Sequence, residues 1–308
     1  MSSSNNPESL ANLTSSPPTP REGTIPVKHA DLYFREIGQG QPILILHGGP
    51  DFDHTYFLPD LDRLSDKFRL IYYDQRGRGK SAGNVQPEDV TIQSEVDDLE
   101  AVRNYFQLES VPVLGHSWGG VLAMEYALRH PGRVPQLILM NTAPASAEDY
   151  LFFRQDRIKR AASDIEKLKA RATDTQYQKG HPDTVARYYR IHFNTTLRQP
   201  EQLDAVIQRL RASFTKDGIL KARAIEDRLM DQTWLSTDYD LLPVLKHLRV
   251  PTLVIHGSHD LFPVDCAVHI AEAIPQARFV LLKECGHFSF LECPNEVRNA
   301  ILDFIRGD

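Results

Sequence analysis

A serine stands between two glycines at Gly115-His116-Ser117-Trp118-Gly119, a G-x-S-x-G spacing that can turn a hydroxyl into a nucleophile. A serine hydroxyl attacks a carbonyl only when a base takes its proton, and the base needs an acid to fix its orientation. Two later residues have the right types. Asp260 follows the apolar run Thr252-Leu253-Val254-Ile255, and His287 follows Phe279-Val280-Leu281-Leu282. The order Ser, Asp, His along the chain suits a sheet that presents each residue in the loop after a strand. The implied chemistry is acyl transfer, with Ser117 attacking, His287 moving the proton and Asp260 orienting the imidazole. Asp265 competes for the acid role, but it reads as the start of a helix, where Asp is a common cap. Acyl transfer also needs donors for the oxyanion. The glycine-rich His47-Gly48-Gly49-Pro50 ends another apolar run, so the backbone N–H groups of Gly49 and Trp118 are the expected pair.

These residues can meet only if the surrounding elements carry them to one edge. Val111 to Leu114 is too short and apolar for a helix and reads as a buried strand. Val121 to Arg129 reads as a helix, stopped at His130-Pro131-Gly132. Gly119, Ala123 and Ala127 recur every four residues, so that a small-residue face can lie close to the sheet. Further strands are expected at Leu32–Ile37, Ile43–Leu46, Arg69–Tyr73, Gln136–Met140, Thr252–Ile255 and Arg278–Leu282. Helices are expected at Ile92–Phe106, Asp265–Ala273 and Glu296–Ile305. Alternating strands and helices predict an α/β class, with a mostly parallel central sheet and helices on both faces. Residues 146–240 break the pattern and read as charged helices, an inserted helical cap (lid). Its ends at 146 and 240 leave 23–145 and 241–308 as the core. Tyr150, Phe152, Phe153, Tyr188, Tyr189, Phe193 and Trp234 supply aromatic surface there, some of it for substrate.

Composition narrows the function classes. The chain has 308 residues and net charge −6, with no dense Lys/Arg block. That argues against nucleic acid and against a polybasic membrane site. No stretch is long and apolar enough to span a bilayer. Residues 1–22, rich in Ser, Asn, Thr and Pro, lack a basic start and an apolar core, so they read as a disordered tail rather than a secretory signal. Cys266, Cys285 and Cys293 show neither zinc spacing nor a disulfide framework, which suits a cytoplasmic compartment. His256, His259 and Asp260 lie close in sequence but match no common zinc motif, so neither metal nor cofactor is expected. Asp74-Gln75-Arg76-Gly77-Arg78-Gly79-Lys80-Ser81 reads as a structural loop.

Four of these motifs, in this order, resemble the α/β-hydrolase superfamily over roughly residues 25–306. HGGP at 47–50, DQRGRGKS at 74–81 and GHSWGG at 115–120 resemble the proline iminopeptidase (prolyl aminopeptidase) group and its tricorn-interacting aminopeptidase relatives. That group reads HGGPG, whereas Asp51 follows Pro50 here. The resemblance implies the α/β-hydrolase fold and a small ester or short peptide as substrate, with an N-terminal proline favoured. It also implies cap glutamates that hold the substrate's free amino group, for which Glu226 is the nearest candidate. The segment 146–240 holds 17 Lys/Arg against 15 Asp/Glu, so the block as a whole is no acidic trap. A carboxylesterase acting on small esters is the alternative. A ligand-binding protein that kept the fold without turnover is the alternative of another class, against which Ser117, Asp260 and His287 all stand.

Overall fold

The computed structural model describes residues 19–307. One sheet of eight strands runs through it: β1 (Arg21–Val27), β2 (Ala30–Ile37), β3 (Gln41–Leu46), β4 (Phe68–Tyr73), β5 (Val113–His116), β6 (Leu137–Met140), β7 (Thr252–Gly257) and β8 (Ala277–Leu282). The spatial order is β1-β2-β4-β3-β5-β6-β7-β8. The β1–β2 and β2–β4 pairs are antiparallel and every other pair is parallel. β5, β6 and β7 are buried along their whole length, which is why they read as unbroken apolar runs rather than alternating ones.

Helices follow the strands: α1 (Ile92–Tyr105), α2 (Trp118–Arg129), α3 (Ala147–Arg160), α4 (Ala162–Ala172), α5 (Thr175–Gln178), α6 (Pro182–His192), α7 (Leu203–Ser213), α8 (Lys216–Gln232), α9 (Leu242–Leu245), α10 (Val264–Ala273), α11 (Ser289–Glu292) and α12 (Pro294–Arg306). α1 turns Val96, Leu99 and Val102 inward under a capping box from Thr91 and Ser94. α2 is buried almost throughout, with Ala123 and Ala127 wholly inaccessible. A side chain at Gly119 would strike the carbonyls of Leu46 and His47, so the helix start is pressed onto the end of β3.

Helices α3 to α8 lie between β6 and β7. An isolated antiparallel bridge pairs Ser146 with Asp240, and the Leu241 N–H donates to Ala145 O at 2.9 Å. The chain therefore leaves and rejoins the sheet at one point.

Two expectations are corrected. The stretch read as a tail to residue 22 ends earlier, because Arg21 and Glu22 already belong to β1 and pair with Glu36 and Arg35. Apolar spacing could not reveal this strand, since it is held by its ladder with β2 and shows only Ile25 fully buried. The rest of that tail, residues 1–18, lies outside the described residues. The strand before the serine also begins later than Val111 and runs on through Gly115 and His116, directly into the turn.

Candidate active site

Ser117 sits between β5 and α2 with φ 55° and ψ −120°. A non-glycine residue held there is strained and persists only when its surroundings fix it. The fixing contacts are visible. The Ser117 N–H donates to Met140 O at 3.2 Å, and its carbonyl accepts from Gly120 N–H at 3.0 Å and Ala143 N–H at 3.1 Å. Its side chain makes no capping bond to α2, so the hydroxyl is left to the cavity that it lines. Gly115 and Gly119 meet backbone to backbone, and a Cβ at Gly48 would come within 2.7 Å of the Ser117 Cβ.

Asp260 and His287 arrive in the loops after β7 and β8. His287 Nδ1–H donates to Asp260 Oδ1 at 2.8 Å, which leaves Nε2 as the lone pair of the neutral ring. Asp260 also accepts from Phe262 N–H at 2.9 Å and from Asn141 Nδ2 at 2.5 Å. Burial works to raise its pKa, but the neighbouring His256 and His287 and these hydrogen bonds hold it below the usual carboxylate range. Asp260 therefore stays ionised. Asp265 is exposed in the first turn of α10, just inside the cap at Pro263. His256 Nε2 donates to Phe262 O while its Nδ1 lies 3.7 Å from Asp260 Oδ2, and the exposed His259 lies against Ser258, so of the two histidines only His256 reaches Asp260.

The oxyanion candidates flank the serine. Trp118 is the first residue of α2, so its N–H is one of those that a helix start leaves free. Gly49 has φ 48°, and a side chain there would strike the Phe52 ring. The loop is braced by His47, whose Nε2 accepts from Gln75 N–H at 3.0 Å while Nδ1 donates to Gly48 O at 3.1 Å. Both partners have fixed roles, so His47 is a single neutral tautomer; burial holds its pKa down to about 3. The DQRGRGKS loop supplies that brace. Arg76 pairs with Asp98, Arg78 pairs with Glu95, and none of residues 74–81 lines the cavity.

Ser117, Trp118, Gly49 and His287 all line one cavity of about 130 Å³. Its remaining walls are mainly aromatic. Tyr150, Phe153, Tyr189, Phe193 and Trp234 reach it from the inserted helices, whereas Phe152 faces outward and Tyr188 packs on Tyr177. Trp234 stacks on Tyr150 at 4.7 Å, meets Trp118 edge-on at 5.5 Å and donates Nε1–H to Pro144 O. Glu226 also lines the cavity, and Asp51 faces it with the Tyr189 hydroxyl donating to its carboxylate. Burial, then the charge of Asp51, drives the Glu226 pKa well above the carboxylate range; burial raises Asp51 too, against the hydrogen bond from Tyr189.

A profile described as "alpha/beta hydrolase fold" matches residues 41–294, most of the chain. The chain belongs to the alpha/beta hydrolase fold family. A proline iminopeptidase of Lactobacillus helveticus is 29% identical to this hydrolase over 299 residues, covering 89% of this chain and 94% of the relative. The crystal structure of a Mycobacterium smegmatis proline iminopeptidase superposes with a TM-score of 0.70 at 24% identity, covering 93% of this chain and 98% of that one. A thermophilic esterase from Thermogutta terrifontis, with malate bound, gives 0.69 at 25% identity over 93% and 98%.

Several residues of the hydrolase site gave no sequence signal. Tyr56 accepts from Gly48 N–H at 2.7 Å and donates to His116 Nδ1 at 2.8 Å; His116 Nε2–H in turn donates to His287 O at 2.9 Å. This relay ties the Gly48-Gly49 loop, the serine turn and the His287 loop together. Burial holds the His116 pKa down to about 3, so the relay stays neutral. Asn141, at φ 48°, spans Asp260 and Gly286 O and accepts from the Ser289 hydroxyl. Glu292 accepts from Gly286 N–H and from Arg198 N–H, and His287 N–H donates to Thr196 O at 2.7 Å. The His287 loop is thereby fastened to the segment between α6 and α7. Asp53, His54 and Asp74 form the one cluster among the described residues whose donor atoms all lie within 4.8 Å. There His54 Nδ1 meets Asp74 at 2.6 Å, the second Asp74 oxygen takes Lys80 N–H, and Asp53 caps Thr55.

No helix among the described residues is long and apolar enough to cross a membrane.

Proposed function

We propose that this chain is a serine hydrolase that cleaves a small amide or ester through an acyl-enzyme, with a proline iminopeptidase-like preference for a substrate bearing a free N-terminal amine. One observation carries the reading. A histidine whose Nδ1–H is committed to a buried, ionised Asp260 lines the same cavity as a serine held at φ 55°. In the proposed reaction His287 Nε2 takes the Ser117 proton as Oγ attacks the carbonyl carbon. The Gly49 and Trp118 N–H groups receive the oxyanion. The C–N or C–O bond breaks as His287 returns the proton to the leaving group, and water then releases the acyl group by the same route. Asp260 stabilises the imidazolium at both steps.

Glu226 supports the amine preference, since it lines the cavity and forms no ion pair within 4.0 Å among the described residues, the neighbouring Arg223 donating instead to Tyr177 O. The family's HGGP segment and the relatives named proline iminopeptidase point the same way. Cys266, Cys285 and Cys293 are free thiols, which supports a reducing, cytoplasmic setting. Esterase activity is the second reading, favoured by the largely aromatic cavity walls and by Asp51 where the group has glycine.

The test is a fluorophosphonate probe followed by a substrate panel. Wild type should be labelled and Ser117→Ala should not, with the variant still folded by circular dichroism. Proline arylamides should turn over faster than arylamides of N-acylated proline. Labelling that survives Ser117→Ala removes the nucleophile. Turnover of aryl esters with none of proline arylamides leaves the esterase reading.

A further inference from the structure

We propose that Arg157 recognises a carboxylate on the substrate, so that the preferred substrates of the cavity are anionic at one end. The proposal rests on the reading of Ser117 as the nucleophile of that cavity. Helix α3 is set firmly against the site. Phe153 packs edge-on against Phe262 at 4.8 Å, and the Arg160 guanidinium donates to the carbonyls of Asp260 at 3.1 Å and Leu261 at 2.9 Å. Arg157 lies one turn beyond Phe153 and lines the same cavity as Ser117 and His287. Its guanidinium donates once within the protein, to His192 O at 3.2 Å.

Arg157 is half-buried, whereas the fully buried guanidiniums of the core are all paired. Arg35 meets Asp62 at 2.7 Å, Arg76 meets Asp98 at 2.5 Å, Arg78 meets Glu95 at 2.6 Å and Arg103 meets Glu100 at 2.5 Å. Among the described residues no carboxylate oxygen lies within 4.0 Å of Arg157. The nearby Asp164 is engaged by Lys167 at 3.0 Å and by Asn194 at 2.9 Å. Burial pushes the Arg157 pKa below its ordinary value, as expected of a cation withdrawn from water without a full partner. It remains charged at neutral pH, since guanidinium does not deprotonate in proteins. Glu226 and Asp51 line the cavity as well, yet neither closes on Arg157. A fixed cation with free donors beside a nucleophile is an anion site, and the planar fork of Arg matches a carboxylate. The carboxylate can belong to the acyl group or to the leaving group, and both place the same chemistry on Arg157.

Two matched pairs separate these sources. For the acyl side, kcat/KM for mono-4-nitrophenyl glutarate is compared with that for its methyl ester. For the leaving-group side, 3-carboxyphenyl butanoate is compared with 3-carbamoylphenyl butanoate. In wild type the anionic member of at least one pair should be preferred. In Arg157→Met the anionic-to-neutral ratio for that pair should fall about 10- to 100-fold, the range for one hydrogen-bonded charge. Arg157→Lys should recover part of it. Ratios unchanged in Arg157→Met for both pairs, or a wild-type preference for the neutral member in both, would overturn the proposal. Fluorophosphonate labelling of the same samples reports Ser117 separately. If no sample turns over, calorimetry with benzoate and benzamide decides: benzoate should bind wild type more tightly and lose that advantage in Arg157→Met, and equal binding of the two overturns the assignment.

Discussion

Asn141→Ala tests whether Asp260, the proposed acid, is held in place by a residue with no chemistry of its own. Asn141 donates to Asp260 Oδ2 at 2.5 Å and to Gly286 O at 3.1 Å, and it does so from φ 48°. Removing the amide takes a hydrogen bond from a fully buried carboxylate, worth about 1.5–3 kcal/mol. Alanine at this φ adds about 1–2 kcal/mol of backbone strain. The variant should therefore lose about 2.5–5 kcal/mol of stability in urea unfolding. If the lost bond also counts in the transition state, kcat/KM for an aryl ester falls about 10- to 100-fold. Asn141→Gly separates the two terms, because glycine accepts the left-handed backbone without penalty. It should match Asn141→Ala in lost activity while recovering about 1 kcal/mol or more of stability. Wild-type activity within twofold in Asn141→Gly would refute the reasoning, since the carboxylate would then need no such support.

The remaining expectations concern the acid and the amine site. Asp260→Asn should lower kcat strongly though less than His287→Ala, and Asp265→Asn should leave it near wild type; steady-state kinetics giving the reverse order for the two aspartates would reassign the acid. Glu226→Gln should cost proline arylamide turnover about 1.5–3 kcal/mol in kcat/KM while small aryl esters hardly change. Glu226 and Asp51 have raised pKa values, so they bind protons at pH values where ordinary carboxylates have lost them. A substrate ammonium needs the ionised form, so KM for proline arylamides should fall as pH rises above the ordinary carboxylate range, with KM for a neutral ester flat over the same range. A parallel pH profile for both substrates would reject the amine anchor.

Much of the fold was legible because the parallel strands are buried on both faces. Their apolar runs and the helices between them fell within a few residues of the observed elements. Ser117, Asp260 and His287 could be picked out as candidates because each lies in the loop that follows such a run, where parallel topology gathers loops at one edge. What stayed hidden depends on contacts between distant segments. Tyr56 lies in a short turn whose spacing says nothing of His116, 60 residues away. Asn141 follows a strand that was recognised, but an asparagine after a strand is ordinary until Asp260 is placed against it. Arg157 is one of many charges on an amphipathic helix, and only the packing of Phe153 and Arg160 turns it toward the cavity. β1 escaped for the same reason, because its order comes from its partner strand rather than from its own apolar content.

The bridge between Ser146 and Asp240 bears on how such a molecule can diversify. Bridge partners lie about 5 Å apart, so everything between them hangs from a single narrow stem. A segment joined in this way can be lengthened, shortened or exchanged without altering the register of β6 against β7, and the entropy of closing the loop grows only slowly with its length. Exchange is nevertheless constrained by what the segment shelters. Phe262, Phe288 and Trp118 are buried partly under Phe153, Phe193 and Trp234, and a replacement must cover them again. Graftability at the stem with a fixed demand for apolar cover makes the segment a module that can be exchanged while the strands and loops carrying Ser117, Asp260 and His287 keep their places.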